Sequence, residues 1–207
     1  MTSHATWPTL NRQLVAILRG LEPREALAVA NALVDTGFEA IEVPLNSPEP
    51  FRSIEVIAKE LGDDVLVGAG TVLSPSDVDR LNDAGGRLMV APNVDTSVLT
   101  RAAELGMITM PGVFSPTEAL AAVAAGASAL KFFPADQLGP AGIKAVSVVL
   151  PRDLPLLAVG GVDASNLADY VAVGVAGFGI GSSLYKPGRD AADVKRRAVE
   201  LVAAWEA

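Results

Sequence analysis

The stretch LVAILRGLEPREALAVANALVDTG, residues 14–37, decides the fold. It opens with an unbroken apolar run, Leu14 to Leu18, of the length of a buried strand. Arg19-Gly20 interrupts the run. Pro23 to Val34 then places Ala26, Ala30 and Leu33 on one helical face, and Gly37 follows the last apolar turn as a stop signal. Strand, turn and amphipathic helix together take about 25 residues, the size of one βα unit.

The same unit recurs to the end of the chain. Further strands are expected at Ala40 to Leu45, Leu66 to Thr71, Leu88 to Ala91, Met107 to Met110, Ala129 to Phe133, Leu156 to Val159 and Gly177 to Ile180, which makes eight with the first. Helices are expected to open at Ser74-Pro75, Ser115-Pro116 and Ser165, residue types suited to an N-cap and first turn. Unbroken βα alternation implies a parallel sheet covered by helices. Eight units in so compact a chain favour a single α/β domain over residues 1–207, a closed (β/α)8 TIM barrel with a short N-terminal helix or arm. An open doubly wound sheet is the alternative.

Composition narrows the chemistry. Half of the 207 residues are apolar, enough for a sizeable core, and the net charge of -8 argues against a nucleic-acid surface. No charge-free run of membrane-spanning length is present, and Met1 to Gln13 lacks the regions of a signal peptide, so a soluble cytoplasmic protein with no membrane partner is expected. Absence of cysteine excludes disulfides, thiolate nucleophiles and sulfur-ligated zinc. The one histidine, His4, falls in the N-terminal arm, so neither a histidine-dependent triad nor a multi-histidine metal site can form within one chain. Catalysis must rest on lysine, arginine, carboxylates and hydroxyls.

Functional residues of such barrels stand at the C-terminal ends of the strands. Of five lysines, only Lys131 interrupts a strand, in Ala129-Leu130-Lys131-Phe132-Phe133-Pro134. Burial disfavours an ammonium and frees the amine to attack a carbonyl. Glu42, in Ala40-Ile41-Glu42-Val43-Pro44-Leu45, is the matching anomaly on the second strand. Alternation puts Glu42 with Ala40 and Pro44, and Lys131 with Ala129 and Phe133, on inward faces, leaving Ile41, Val43, Leu130 and Phe132 for the helices. Strands two and six feed the same interior layers, so the two side chains can meet and exchange protons. A purely structural ion pair is the alternative.

Three other features point to the barrel mouth. The last two strands run into Val159-Gly160-Gly161 and Gly181-Ser182, where backbone amides can approach a phosphate, or simply form tight turns. Arg19 ends the first strand beside the last and can bind a carboxylate or phosphate, or only cap the rim. Gly68-Ala69-Gly70-Thr71 lacks the rest of a dinucleotide fingerprint, so Thr71 is read as a hydroxyl lining the site.

Taken in order, the segments Ala16-Ile17-Leu18-Arg19-Gly20, Ile41-Glu42-Val43-Pro44-Leu45-Asn46-Ser47-Pro48, Gly68 to Val72, Pro111-Gly112, Leu130 to Pro134, Gly160-Gly161 and Gly181-Ser182 resemble the class I 2-keto-3-deoxy-6-phosphogluconate and -galactonate aldolases over nearly the whole chain. The resemblance implies that Lys131 forms a Schiff base and Glu42 acts as acid/base. It implies that Arg19, Thr71, Gly160, Gly161, Gly181 and Ser182 bind the substrate and its phosphate, with no metal or cofactor and as a homotrimer. The implied ligands are a small phosphorylated 2-keto-3-deoxy sugar acid and pyruvate. Leu45-Asn46-Ser47-Pro48 and Ala158-Val159-Gly160-Gly161 look more like the galactonate branch, since gluconate enzymes usually carry a threonine where Val159 stands. The gluconate epimer, a 4-hydroxy-2-keto acid, a phosphosugar isomerase and a non-catalytic sugar-phosphate sensor are the alternatives.

Overall fold

The computed structural model describes residues 5–62 and 64–207; His4 lies outside them. Strands β1 (Leu14–Ile17), β2 (Ala40–Pro44), β3 (Leu66–Gly70), β4 (Leu88–Val90), β5 (Ile108–Met110), β6 (Gly112–Val113), β7 (Leu130–Phe132), β8 (Leu156–Val159) and β9 (Gly177–Ile180) are all parallel. Helices α1 (Pro23–Val34), α2 (Pro50–Leu61), α3 (Pro75–Asp83), α4 (Thr96–Glu104), α5 (Pro116–Ala124), α6 (Ala135–Ser147), α7 (Leu167–Val171) and α8 (Ala191–Glu206) follow in alternation. The sheet order is β5-β4-β3-β2-β1-β9-β8-β7-β6.

Nine strands replace the eight expected because the fifth changes partner midway. Pro111 has no N–H to give a ladder, so β5 pairs with β4 before it and β6 pairs with β7 after it. The circle still closes there. The Ala129 N–H donates to the Thr109 carbonyl at 3.1 Å, and the Lys131 N–H donates to Pro111 at 3.0 Å. A side chain at Gly112 would lie 2.3 Å from the Pro92 carbonyl oxygen, so only glycine lets the chain cross at this seam.

Alternation along the strands makes two cores. Ile41, Val43, Leu130 and Phe132 pack outward against the helices, while Val15, Ala40, Leu66, Leu88, Val90, Met110, Ala129 and Leu157 fill the barrel. The N-terminal arm forms no helix within its described part. Trp7 and Leu10 pack against the interior cluster, and the Trp7 indole N–H donates to Gln13 at 2.6 Å.

Local signals set the helix ends. Ser74 and Ser115 cap α3 and α5, the latter as a capping box with Glu118. Gly37, at φ +90°, ends the turn after α1, where the Phe38 N–H reaches back to Leu33. Ser165 does not cap α7, which starts two residues later. Its N–H and hydroxyl both donate to Asp163 instead, an Asx turn that competes with the helix. No helix among the described residues is long and apolar enough to cross a membrane.

Candidate active site

At the C-terminal ends of the strands the barrel opens into a cavity of about 450 Å³. Lys131, Glu42, Arg19, Thr71, Val159, Gly160, Gly161, Gly181 and Ser182 all line it, so every residue singled out from the sequence converges on one site. Six different strands supply them, and the barrel register sets their heights.

Glu42 and Lys131 form the floor, 1% and 6% exposed. Each sits one inward position above an alanine of the interior cluster, Ala40 and Ala129. Gly70 makes room for the carboxylate: a Cβ there would fall 2.2 Å from Glu42 Oε2 and 2.5 Å from Cδ. The Lys131 Nζ lies 4.7 Å from the centroid of the Phe133 ring, whose face favours positive charge. No Lys131–Glu42 ion pair within 4.0 Å occurs among the described residues, and Glu42 Oε2 is buried without a hydrogen-bond partner. A structural ion pair would have used that oxygen.

Burial pushes the Glu42 carboxyl up to about 7, against the downward pull of Lys131, Arg19 and the Gly70 backbone. Burial likewise lowers the Lys131 amine, assisted by Arg19 and opposed by Glu42. The two groups titrate as a pair, and burial favours the neutral form of each, a free amine beside a protonated carboxyl. That combination suits carbonyl addition, in which one group attacks while the other moves protons.

Thr71 follows β3 at φ +58°, a left-handed conformation costly for a β-branched residue. Strain of this kind, about 1–3 kcal/mol, persists where the surroundings hold a side chain in place for function. Arg19 stands at the end of β1, and the next amide, Gly20 N–H, donates to the Ser47 hydroxyl at 2.9 Å. This bond ties the loop after β1 to the loop after β2. Gly160 and Gly161, at φ +99° and +69°, turn the chain sharply after β8. The Ser183 hydroxyl donates to the Val162 carbonyl at 3.0 Å, joining that turn to the one after β9.

Sequence reasoning missed several lining residues. Asn46 follows β2, and Tyr185 and Lys186 lie in the loop after β9. The Tyr185 hydroxyl donates to Glu25 of α1, and burial with that contact raises its pKa. Lys186 is one of the four lysines that interrupt no strand, yet its place after the last strand is where the barrel rule points.

The family model described as KDPG and KHG aldolase matches residues 9–197. A probable 2-dehydro-3-deoxy-6-phosphogalactonate aldolase of Rhizobium meliloti (strain 1021) is 61% identical over 200 residues, which cover 97% of this chain and 94% of that protein. Among solved structures, one described as native KDPGal superposes with a TM-score of 0.95 at 46% identity and covers 97% of both chains. KDPG aldolase from Legionella pneumophila, with pyruvate captured at low pH as a covalent carbinolamine intermediate, superposes with a TM-score of 0.80 at 26% identity over 94% of this chain and 92% of that one. With a family match over most of its length and a barrel of the same shape, this chain belongs to the KDPG and KHG aldolase family.

Proposed function

We propose that this protein is a class I aldolase that cleaves 2-dehydro-3-deoxy-6-phospho-D-galactonate to pyruvate and D-glyceraldehyde 3-phosphate. The observation that carries the reading is the buried amine of Lys131 facing the raised carboxyl of Glu42 in one cavity. The names of the relatives favour the galactonate epimer, and Val159 presents methyls where a hydroxyl would pair with the other epimer.

The neutral Lys131 Nζ attacks the C2 ketone of the substrate. Glu42 protonates the carbinolamine hydroxyl, water leaves, and the resulting iminium is an electron sink. Glu42, now a carboxylate, takes the proton of the C4 hydroxyl. The C3–C4 bond breaks, its electron pair passes to C3 as the enamine, and C4 departs as the aldehyde of glyceraldehyde 3-phosphate. Protonation at C3 and addition of water then release pyruvate and the free amine. The pyruvate carbinolamine in the Legionella enzyme is the early intermediate of this scheme run from the product side.

We assign the substrate carboxylate to Arg19, because its charge acts on both Glu42 and Lys131 and C1 adjoins the carbon bonded to the lysine. Thr71 adds a hydroxyl at the same end. The turns at Gly160-Gly161 and Gly181-Ser182 take the phosphate. A homotrimer belongs to the same reading, supported by the exposed apolar Leu73 and Phe114 on the C-terminal rim, 51% and 42% accessible in the lone chain.

Borohydride reduction in the presence of pyruvate tests the assignment. The parent protein should gain one reduced adduct on Lys131, and Lys131→Met should gain none. An adduct on another lysine, or none in the parent, refutes it.

A further inference from the structure

Behind the turn that follows β9 stands Arg189, whose side chain is 17% exposed and does not line the cavity. Its Nη1 donates to two consecutive carbonyls, Ser182 at 3.0 Å and Ser183 at 3.1 Å. Arg197 adds a longer bond to the Ser183 carbonyl at 3.3 Å, and Asp193 braces both guanidinium groups, at 3.6 Å from Arg189 and 3.0 Å from Arg197.

The planar peptide makes this anchoring directional. The Ser182 C=O and the Ser183 N–H belong to one trans peptide and point opposite ways. Holding the carbonyl outward therefore turns that amide inward. The Gly181 carbonyl is likewise occupied, accepting from Leu184 and Tyr185 at 2.9 Å each, which orients the Ser182 amide. Neither the Ser182 nor the Ser183 amide has an acceptor among the described residues. If the Ser182–Ser183 peptide flipped, a carbonyl would face the phosphate in place of a donor.

We propose that Arg189 is a positioning residue for phosphate recognition, fixing the orientation of the Ser182–Ser183 peptide from behind while touching no substrate atom. This rests on the phosphorylated-substrate reading above. Its own consequence is selectivity for phosphorylated over unphosphorylated substrate, without any effect on imine chemistry at Lys131.

The test compares parent, Arg189→Ala and Arg189→Lys on the 6-phosphorylated 2-keto-3-deoxygalactonate and on its unphosphorylated counterpart, with pyruvate trapping as a check on the folded site. Loss of two charge-assisted hydrogen bonds should lower kcat/KM for the phosphorylated substrate in Arg189→Ala by roughly tenfold or more, carried by KM. On the unphosphorylated substrate and in trapping, Arg189→Ala should stay within about twofold of the parent. Arg189→Lys keeps the charge but not the geometry and should recover part of the loss. A merely structural role would lower both substrates together, and that result, or an unchanged ratio, overturns the proposal. A parent enzyme with no preference for the phosphorylated substrate overturns the phosphate reading itself and this assignment with it.

Discussion

Gly70→Ala isolates the position of the Glu42 carboxylate from everything else in the barrel. A Cβ at residue 70 would lie 2.2 Å from Oε2, 2.5 Å from Cδ and 2.5 Å from Oε1. Ordinary contact begins near 3.4 Å, so the carboxylate must retreat by about 1 Å, a misplacement that costs on the order of a hundredfold in rate. The chain itself is not strained, because Gly70 has no positive φ. Glu42 has room to swing into the cavity above it, which keeps the stability loss near the low end of overpacking, about 1 kcal/mol. In a chain of this size that lowers Tm by about 2–4 °C. Gly68→Ala is the contrasting control. Its Cβ would meet the Leu88 carbonyl oxygen at 1.9 Å, and backbone cannot swing away, so that variant should fail to fold. The assay is pyruvate release from the phosphorylated galactonate derivative, with thermal melting and long-incubation borohydride trapping alongside. Gly70→Ala should melt cooperatively, trap pyruvate to completion and turn over about a hundredfold more slowly. A folded Gly70→Ala enzyme within about threefold of the parent kcat would show that the carboxylate need not stand where the structure puts it.

The pH profile follows from the direction of the Glu42 shift. Glu42 must enter the cycle protonated to discharge the carbinolamine hydroxyl, and burial raises its carboxyl to about 7, so kcat/KM should fall as pH rises through about 7; Glu42→Gln should lose that limb and run roughly 10²–10⁴-fold slower while still binding pyruvate. Under the proposed function, Val159 biases the choice of epimer. Val159→Thr adds one hydroxyl to a side chain of the same size, 3% exposed and lining the cavity. Because an unpaired buried polar group costs about 1–3 kcal/mol, the kcat/KM ratio of galactonate to gluconate epimer should fall by roughly tenfold. An unchanged ratio removes Val159 from the specificity argument.

The barrel was legible because its information is local and repeated. Each unit carries an apolar run, a breaker and a helical face, and alternation alone sorted Ile41 and Val43 from Glu42, and Leu130 and Phe132 from Lys131. The partner switch at Pro111 was not legible. It depends on which strand lies beside residues 108–113 after closure, a relation that no local pattern encodes. Asn46, Tyr185 and Lys186 were missed for a related reason: in loops, polar residues are the background, and only the closed cavity distinguishes those that face it. Arg189 is further removed still, since its role depends on two carbonyls that no sequence pattern marks.

Glu42 and Lys131 were found first because they violate the pattern, and the violation has a thermodynamic sign. The folded state raises the Glu42 pKa from 4.5 to about 7. It therefore binds that proton more tightly than the unfolded chain, and the stability this contributes below about pH 4.5 is lost as pH rises toward 7. At and above pH 7 the buried carboxyl costs roughly 3 kcal/mol relative to an exposed one. Lys131, depressed by burial, contributes stability present above its ordinary 10.5 and lost as pH falls through the folded value. Near neutrality the protein thus carries both penalties, and the two hydrophobic cores must offset them. The rest of the interior layer is Ala, Val, Leu and Met, so packing alone gives no reason to keep a carboxylate and an amine in it. A cost concentrated on two facing groups under an open cavity is the mark of residues retained for chemistry.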